Sequence, residues 1–342
     1  MAKLKAVVIG CGGRGTAHAE GYAACPEVEI AAVADPVPEN AEKLAKRFDV
    51  PKVYKDYREM LKKHSPDLVS VCTWPETHRE IVVTAAEGGA RAIHAEKPMA
   101  PTWGEARTMH QACVDLGVQL TFCHQRRFSR HFVKARDLVR SGAIGELVRV
   151  EGYCSNLFDW GTHWFDMLHF FNDDEPAAWV MGQIDCSQPR SVFGVPVESA
   201  GLSYVKFKNG VTGMLVTGRD PVDGRANRIV GGEGMFLIGT TGTMEVGVQH
   251  GPALRMHHEG KPETPELGPS VPETVASVQD MVKCLETGQE PELSSFKALR
   301  ATELIFGTYE SSRIRGRVTV PLTIDDSPLI TMLDDGVVGP KE

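Results

Sequence analysis

Three groups of residues in this 342-residue sequence have types and spacings that do chemistry rather than packing alone. The first is Gly10-Cys11-Gly12-Gly13-Arg14-Gly15, a G-x-G-x-x-G pattern between the apolar run Lys5-Ala6-Val7-Val8-Ile9 and a helix-compatible stretch, Thr16 to Ala24. Gly10 permits a sharp turn, Gly12 lets the backbone approach a pyrophosphate, and Gly15 allows close helix–strand packing. The helix that follows presents its free N–H groups to the anion. Asp35 ends a second apolar run, Val28 to Ala34, twenty residues beyond Gly15. At that distance a carboxylate reaches the ribose hydroxyls of an adenosine. The same carboxylate repels a 2′-phosphate, and Pro36-Val37-Pro38 supply no arginine to receive one, so the pattern predicts NAD rather than NADP. Arg14 is the loop residue able to reach either phosphate. The alternative is a glycine-rich turn with no ligand.

The second group stands at strand ends, where ligands lie in open α/β sheets. Asp67 to Thr73 runs into Trp74-Pro75-Glu76-Thr77-His78, and Arg91 to Ala95 runs into Glu96-Lys97-Pro98. Thr73, Trp74, Pro75, Glu96 and Lys97 are therefore expected to border the cofactor, and His78 either faces the nicotinamide or opens a helix at the surface. The third group is Asp159-Trp160-Gly161-Thr162-His163-Trp164-Phe165-Asp166, a turn into a helix that sets His163 and Asp166 on one face with Met167 and Phe170. A hydride leaves an alcohol only if the hydroxyl proton is also taken, so a nicotinamide enzyme needs an acid/base at the reacting carbon. Lys97 and His163 are the candidates. The plainer reading is a lysine ion-paired beside Glu96 and a histidine capping a helix.

These groups need elements to hold them. Up to about residue 125 strand-like and helix-like segments alternate as in a doubly wound parallel sheet. Helices are predicted over Pro38 to Phe48, Tyr57 to Lys63, Arg79 to Glu87 and from the capping-box spacing Thr102-Trp103-Gly104-Glu105 to Leu116. After Phe128 the rhythm changes. A helix over His131 to Ser141 and a strand over Leu147 to Tyr153 precede the hairpin Leu202 to Thr217 and a second glycine-bounded strand pair, Gly234 to Gly247. The expected architecture is α/β: a Rossmann domain over 1–125, an α+β domain with a mostly antiparallel open sheet over 126–322, and a tail over 323–342.

Composition narrows the function classes. With 37 basic against 45 acidic residues the chain carries −8, which argues against general nucleic-acid binding. No apolar run is long enough to span a bilayer and no signal peptide precedes the first strand, which points to the cytoplasm and away from membranes. Eight scattered cysteines without C-x-x-C, and histidines without H-x-x-x-H, fit reduced buried thiols and predict no zinc site.

The glycine loop, Asp35, the Thr73 to His78 segment, Glu96-Lys97-Pro98, Gln125-Arg126-Arg127-Phe128 and the Asp159 to Asp166 segment together resemble the glucose-fructose oxidoreductase/inositol dehydrogenase/MocA family. The likeness runs to about Leu322, and Thr323 to Glu342 departs from it. It implies hydride transfer between NAD and a secondary alcohol or ketone of a sugar, cyclitol or related polyol. In that frame Lys97 eases alkoxide character, His163 exchanges the proton, and Asp159 holds the substrate hydroxyl or orients the imidazole. Arg127 and Trp160 join the substrate side, and Asp166 serves as a helix-face partner. Arg126, Arg127 and Arg130 would favour an anionic substrate if turned inward. The resemblance also implies a homodimer or homotetramer through the sheet of residues 147–257. Two other readings share the fold: redox-neutral glycoside cleavage with bound NAD, and a sugar- or nucleotide-sensing protein without catalysis.

Overall fold

The computed structural model describes residues 3–218, 234–248 and 251–340; positions 219–233 and 249–250 of the expected sheet span, and the last two of the expected tail, lie outside the described residues. The chain divides into two compact units, one of residues up to 101 with 105–125 and 271–299, the other of 102–104, 126–270 and 300 onward.

The first unit is built on six parallel strands: β1 (Leu4–Ile9), β2 (Val28–Ala34), β3 (Val53–Tyr54), β4 (Leu68–Val71), β5 (Ala92–Ala95) and β6 (Gln119–Phe122). Their order is β3-β2-β1-β4-β5-β6. The crossovers are α1 (Gly13–Ala23), α2 (Pro38–Phe48), α3 (Tyr57–His64), α4 (Pro75–Glu87) and α5 (Trp103–Leu116). β4 and β5 are buried along their whole length, and Ala6, Val7 and Val8 of β1 have no exposed surface. Helices covering both faces of a parallel sheet require such unbroken apolar runs. The strand order turns back between β1 and β4, so the segments after these strands meet at the switch point where α/β folds bind ligands.

α1 and α4 begin a turn or so earlier than the spacing predicts. α1 starts at Gly13 rather than Thr16, which brings Arg14 and Gly15 into its first turn. α4 starts at Pro75 rather than Arg79, with Pro75 in the first turn, where its missing N–H costs nothing. Gly10 has φ +88°, and a Cβ there would lie 2.5 Å from the Cys72 carbonyl oxygen. A Cβ at Gly15 would lie 2.0 Å from the Gly10 carbonyl oxygen, so α1 rests directly on the turn that leaves β1.

The second unit contributes α6 (Arg130–Arg140), β7 (Leu147–Cys154), α7 (Gly161–Phe171), β8 (Ala177–Asp185), the short pair β9 (Ser191–Val192) and β10 (Val195–Pro196), β11 (Ala200–Phe207), β12 (Thr212–Gly218), β13 (Gly234–Gly239), β14 (Gly242–Val246), β15 (Leu254–His258) and β16 (Lys261–Glu263). The chain then supplies α8 (Glu273–Thr287) to the first unit, passes through α9 (Ser295–Ile314), and ends in the second unit with β17 (Val318–Thr319) and α10 (Pro328–Asp334). Chain order places α8 in the later domain, but packing joins it to the first. Val278, Met281 and Val282 share a core with Ala19 and Tyr22, and a Cβ at Gly21 would meet the Val278 side chain at 2.6 Å.

Among the described residues nine strands form one sheet, β16-β15-β14-β13-β7-β12-β11-β8-β17, in which β7 and β12 pair in parallel and every other neighbouring pair is antiparallel. α7 packs on β7 and β12 and is buried on every side, Gly161 to Phe171. The residues of the expected tail fold back within this unit: the amide of Gly104 donates to the Asp325 carbonyl, and Leu329 and Met332 of α10 are buried.

Gly15→Ala drives a methyl group into the Gly10 carbonyl and is expected to lower stability by about 1–3 kcal/mol. Gly12→Ala, whose Cβ meets nothing within 4 Å, is expected to leave the urea unfolding midpoint near that of the unaltered protein. Equal midpoints for the two variants would refute the close α1 contact.

Candidate active site

In the first unit the glycine loop fits the pyrophosphate of a dinucleotide. A Cβ at Gly12 or Gly13 would meet nothing within 4 Å, which leaves open space over the first turn of α1, where N–H groups lack acceptors inside the helix. Asp35 is buried at the end of β2. Its Oδ2 accepts from the Cys11 amide at 2.7 Å and its Oδ1 from the Val37 amide at 2.8 Å, so the carboxylate also braces the loop.

Glu96 and Arg14 take positions that spacing alone does not reveal. Glu96 is buried, and its Oε1 accepts from Arg14 Nε at 2.6 Å and lies 3.1 Å from His18 Nε2. Its Oε2 accepts from the Lys97 amide at 3.3 Å. Burial by itself would raise the Glu96 carboxyl, but the hydrogen bonds and charge of His18 and Arg14 outweigh it and hold the group well below the usual carboxylate range. Arg14 also donates from Nη2 to Thr274 Oγ1 at 3.1 Å and to Cys123 Sγ at 3.3 Å. The one cation of the glycine loop is thus turned to Glu96 in this structure. Lys97, half-buried, follows directly on that anchored carboxylate.

His78 is not at the surface. It is fully buried, with Nδ1 at 3.0 Å from the Met99 carbonyl and Nε2 at 3.1 Å from the Thr73 carbonyl, and burial pushes its pKa down. The ring therefore ties the segment after β4, with Thr73, to the segment after β5. Pro75 is buried, while Trp74, the N-cap of α4, is 60% exposed at the carboxyl end of the sheet.

In the second unit Asp159, His163 and Trp160 lie on the turn into α7. Asp159 and His163 are buried and Trp160 is half-buried. The Asp159 amide donates to Asn156 Oδ1 at 2.7 Å, and the Gly161 amide to the Asn156 carbonyl at 2.8 Å. The guanidinium of Arg126 lies over the rings of Trp160 and Trp164, at 5.2 and 4.8 Å. Arg127 departs from the substrate-binding role expected of it. It is 2% exposed, its Nε donates to both oxygens of Asp166 at 3.0 and 2.9 Å, and its Nη2 donates to Asp174 at 2.6 Å. This bridge fixes α7, and Asp166 is its helix-face anchor. Arg130 reaches the Gly268 carbonyl at the surface.

Sequence spacing shows no metal constellation, yet the fold gathers His18, His94 and Cys123, all buried, with candidate ligand atoms within 4.8 Å of one another. The ring nitrogens of His18 are bonded to Ser70 and Glu96, and those of His94 to Thr121 and Ser277. Burial pushes the Cys123 thiol up, away from the thiolate a metal needs. The group is a hydrogen-bonded packing layer around Glu96, with His18 and His94 stacked at 4.6 Å.

An all-parallel sheet in this strand order, with a glycine loop opening α1 and a carboxylate closing β2, defines the class of dinucleotide-binding oxidoreductase folds. Within that class, residues 4–124 match "Oxidoreductase family, NAD-binding Rossmann fold" and residues 155–245 match "GFO/IDH/MocA C-terminal domain", and the chain belongs to this Gfo/Idh/MocA family. It is 24% identical to D-apiose dehydrogenase of Paraburkholderia graminis across 98% of this chain and 95% of that one. It is 27% identical to myo-inositol 2-dehydrogenase of Thermotoga maritima across 65% and 70%. A levoglucosan dehydrogenase solved with NADH and L-sorbose superposes with a TM-score of 0.81 at 21% identity, covering 94% of this chain and all of that one, a likeness of fold.

The depressed Glu96 pKa has a pH consequence. A carboxyl whose folded pKa lies below its unfolded value, about 4.3, stabilises the protein fully above that value and loses the contribution progressively as the pH falls from there through the folded pKa. Glu96→Gln is expected to cost about 1–3 kcal/mol at pH 7 and to flatten the acid limb of the stability profile. Parallel urea unfolding at neutral and acid pH checks this, and an unchanged slope would remove the ion pair from the account.

Proposed function

We propose that the protein oxidises a secondary alcohol of a neutral sugar, cyclitol or related polyol, with NAD as the redox partner. The observation that carries this reading is the open space over Gly12 at the start of α1, with the Asp35 carboxylate at the end of β2 followed by Pro36-Val37-Pro38. Named relatives that are sugar and cyclitol dehydrogenases support the substrate class. Bound NAD supplies the hydride acceptor. Lys97 lowers the cost of alkoxide character at the reacting oxygen by its positive charge. His163 takes the hydroxyl proton, since an imidazole exchanges protons readily near neutral pH. Asp159 holds a substrate hydroxyl or orients the imidazole, and Trp160 offers a face to the apolar side of a sugar ring.

A panel of polyols, sugar acids and sugar phosphates with NAD or NADP, followed by NADH fluorescence, tests the reading. Neutral polyols with NAD are expected to turn over. Activity confined to phosphorylated compounds, tighter binding of NADP, or hydrolysis of a glycoside without net NADH would overturn it. Lys97→Ala and His163→Ala are each expected to bind NAD nearly normally and to lose roughly 10²-fold or more in turnover; near-normal turnover by His163→Ala would leave Lys97 to act alone.

The proposal extends to a cytoplasmic homodimer or homotetramer joined through the nine-stranded sheet. β8 and β11 turn Met181 and Leu202, 49% and 46% exposed, to one face beside Trp179 and Tyr204, an apolar surface of the kind that buries against a copy. Light scattering is expected to give a multiple of the chain mass, and a monomer at micromolar concentration would refute this.

A further inference from the structure

Among the buried carboxyls that the mechanism leaves unused is that of Glu198. Glu198, on the connection from β10 to β11, has no exposed surface. Its Oε1 accepts from the Leu157 amide at 2.6 Å and from Thr217 Oγ1 at 2.9 Å, and its Oε2 accepts from Tyr309 Oη at 2.8 Å. The three donors come from the loop between β7 and α7, from β12 and from α9, and none of them is a cation. Burial pushes the carboxyl above its ordinary range against these hydrogen bonds. Stability alone does not favour such a group, because a buried ionisable side chain without a counter-charge is costly and an apolar residue of similar volume would fill the space.

Its main-chain target explains its presence. Leu157 lies two residues before Asp159, in the loop between β7 and α7. Asn156 receives the amides of Asp159 and Gly161, and Cys154 Sγ donates to the Asn156 carbonyl at 3.4 Å. The Leu157 amide bonds this turn to a side chain from elsewhere in the unit. Two neighbours reinforce the hold. Arg190 Nη1 donates to the carbonyls of Ser155 and Glu198, both at 3.3 Å, and Phe158 packs with Val195, Val197 and Ile330.

We infer that Glu198 is a positioning residue for the Asp159–His163 segment, clamping the turn through the Leu157 amide so that Asp159, Trp160 and the first turn of α7 keep one geometry. This rests on the functional reading above for its effect on turnover, but not for its effect on the segment's order. An error of about 1 Å in such a segment can cost up to roughly 10²-fold in rate.

The test uses the full chain with Glu198→Ala, Glu198→Gln and Thr217→Val. Hydrogen exchange followed by mass spectrometry reads the peptide over 155–164, and kinetics are measured on whichever polyol of the panel is turned over. Glu198→Ala is expected to speed exchange at 157–161 by roughly tenfold or more, leave exchange in β1 to β5 unchanged, and lower kcat by roughly tenfold or more with KM for NAD within about twofold. Glu198→Gln keeps an oxygen for Leu157 and Thr217 and turns its amide to Tyr309, so it is expected to restore both exchange and kcat. Thr217→Val, which deletes only the hydroxyl sharing Oε1, keeps the proposal testable if the alanine variant does not fold; a smaller rise confined to the same peptide is expected. Unchanged exchange at 155–164, a rise spread evenly over the second unit, or a glutamine variant as impaired as alanine would overturn the inference. A local exchange response in a protein that oxidises no polyol would instead sink the functional reading and leave the clamp standing.

Discussion

The carboxylate of Glu96 is the charge around which the nucleotide-binding unit is arranged. It sits in the interior with Arg14 on one side and His18 on the other, and an anion so placed is tolerable only while both remain. Because Arg14 and His18 belong to α1 and Glu96 follows β5, the pair joins the helix that would receive a pyrophosphate to the segment that presents Lys97. Ser70, Tyr22, His94 and Thr121 complete the hydrogen-bonding around it. A network of this kind fixes one arrangement, since each member left unpaired would cost free energy. The glycines then act on a frame already set, with Gly15 drawing α1 against the turn that leaves β1.

The second unit reaches a comparable result by other means. α7 is buried on all sides, so its amino end is held by the packing of an entire helix and by the Arg127 bridge to Asp166 and Asp174. A buried pair with two carboxylates is expensive to desolvate, and removing one member leaves an uncompensated charge, which makes the arrangement specific rather than strongly stabilising. Arg126, one residue earlier, stays with the aromatic rings instead. Adjacent arginines thus have unlike surroundings.

Local pattern carries much of the fold. β2 and α2 appear with the bounds the sequence implies, because apolar runs and helical spacing act over a few residues, and the hairpin at Asn209-Gly210 follows from a turn dipeptide. The tight turn after β1 and the carboxylate that closes β2 follow from the same short-range pattern. What sequence reading missed is long-range. His78 looks like a surface residue until Met99 and Thr73 close on it, Arg127 looks available until Asp166 and Asp174 take its donors, and Glu198 has partners at 157, 217 and 309 that no spacing rule connects. α8 gave the strongest contrast, since chain order assigned it to one domain and the fit of Val278 against Gly21 assigns it to the other.

In the proposed role Asp35 would tie cofactor choice to loop architecture. The carboxylate proposed to recognise a ribose already accepts the amides of Cys11 and Val37, so in that role the discriminating side chain would also be a strut of the turn it serves. A lineage drifting toward a phosphorylated dinucleotide cannot simply exchange this aspartate for a small neutral residue; it must also supply new acceptors for two main-chain amides. With Asp35 in that role, cofactor preference in this chain would be a two-step trait, and the first step alone would pass through a protein with a loosened loop. Such a barrier keeps a preference in place over long divergence even where selection on the preference itself is weak.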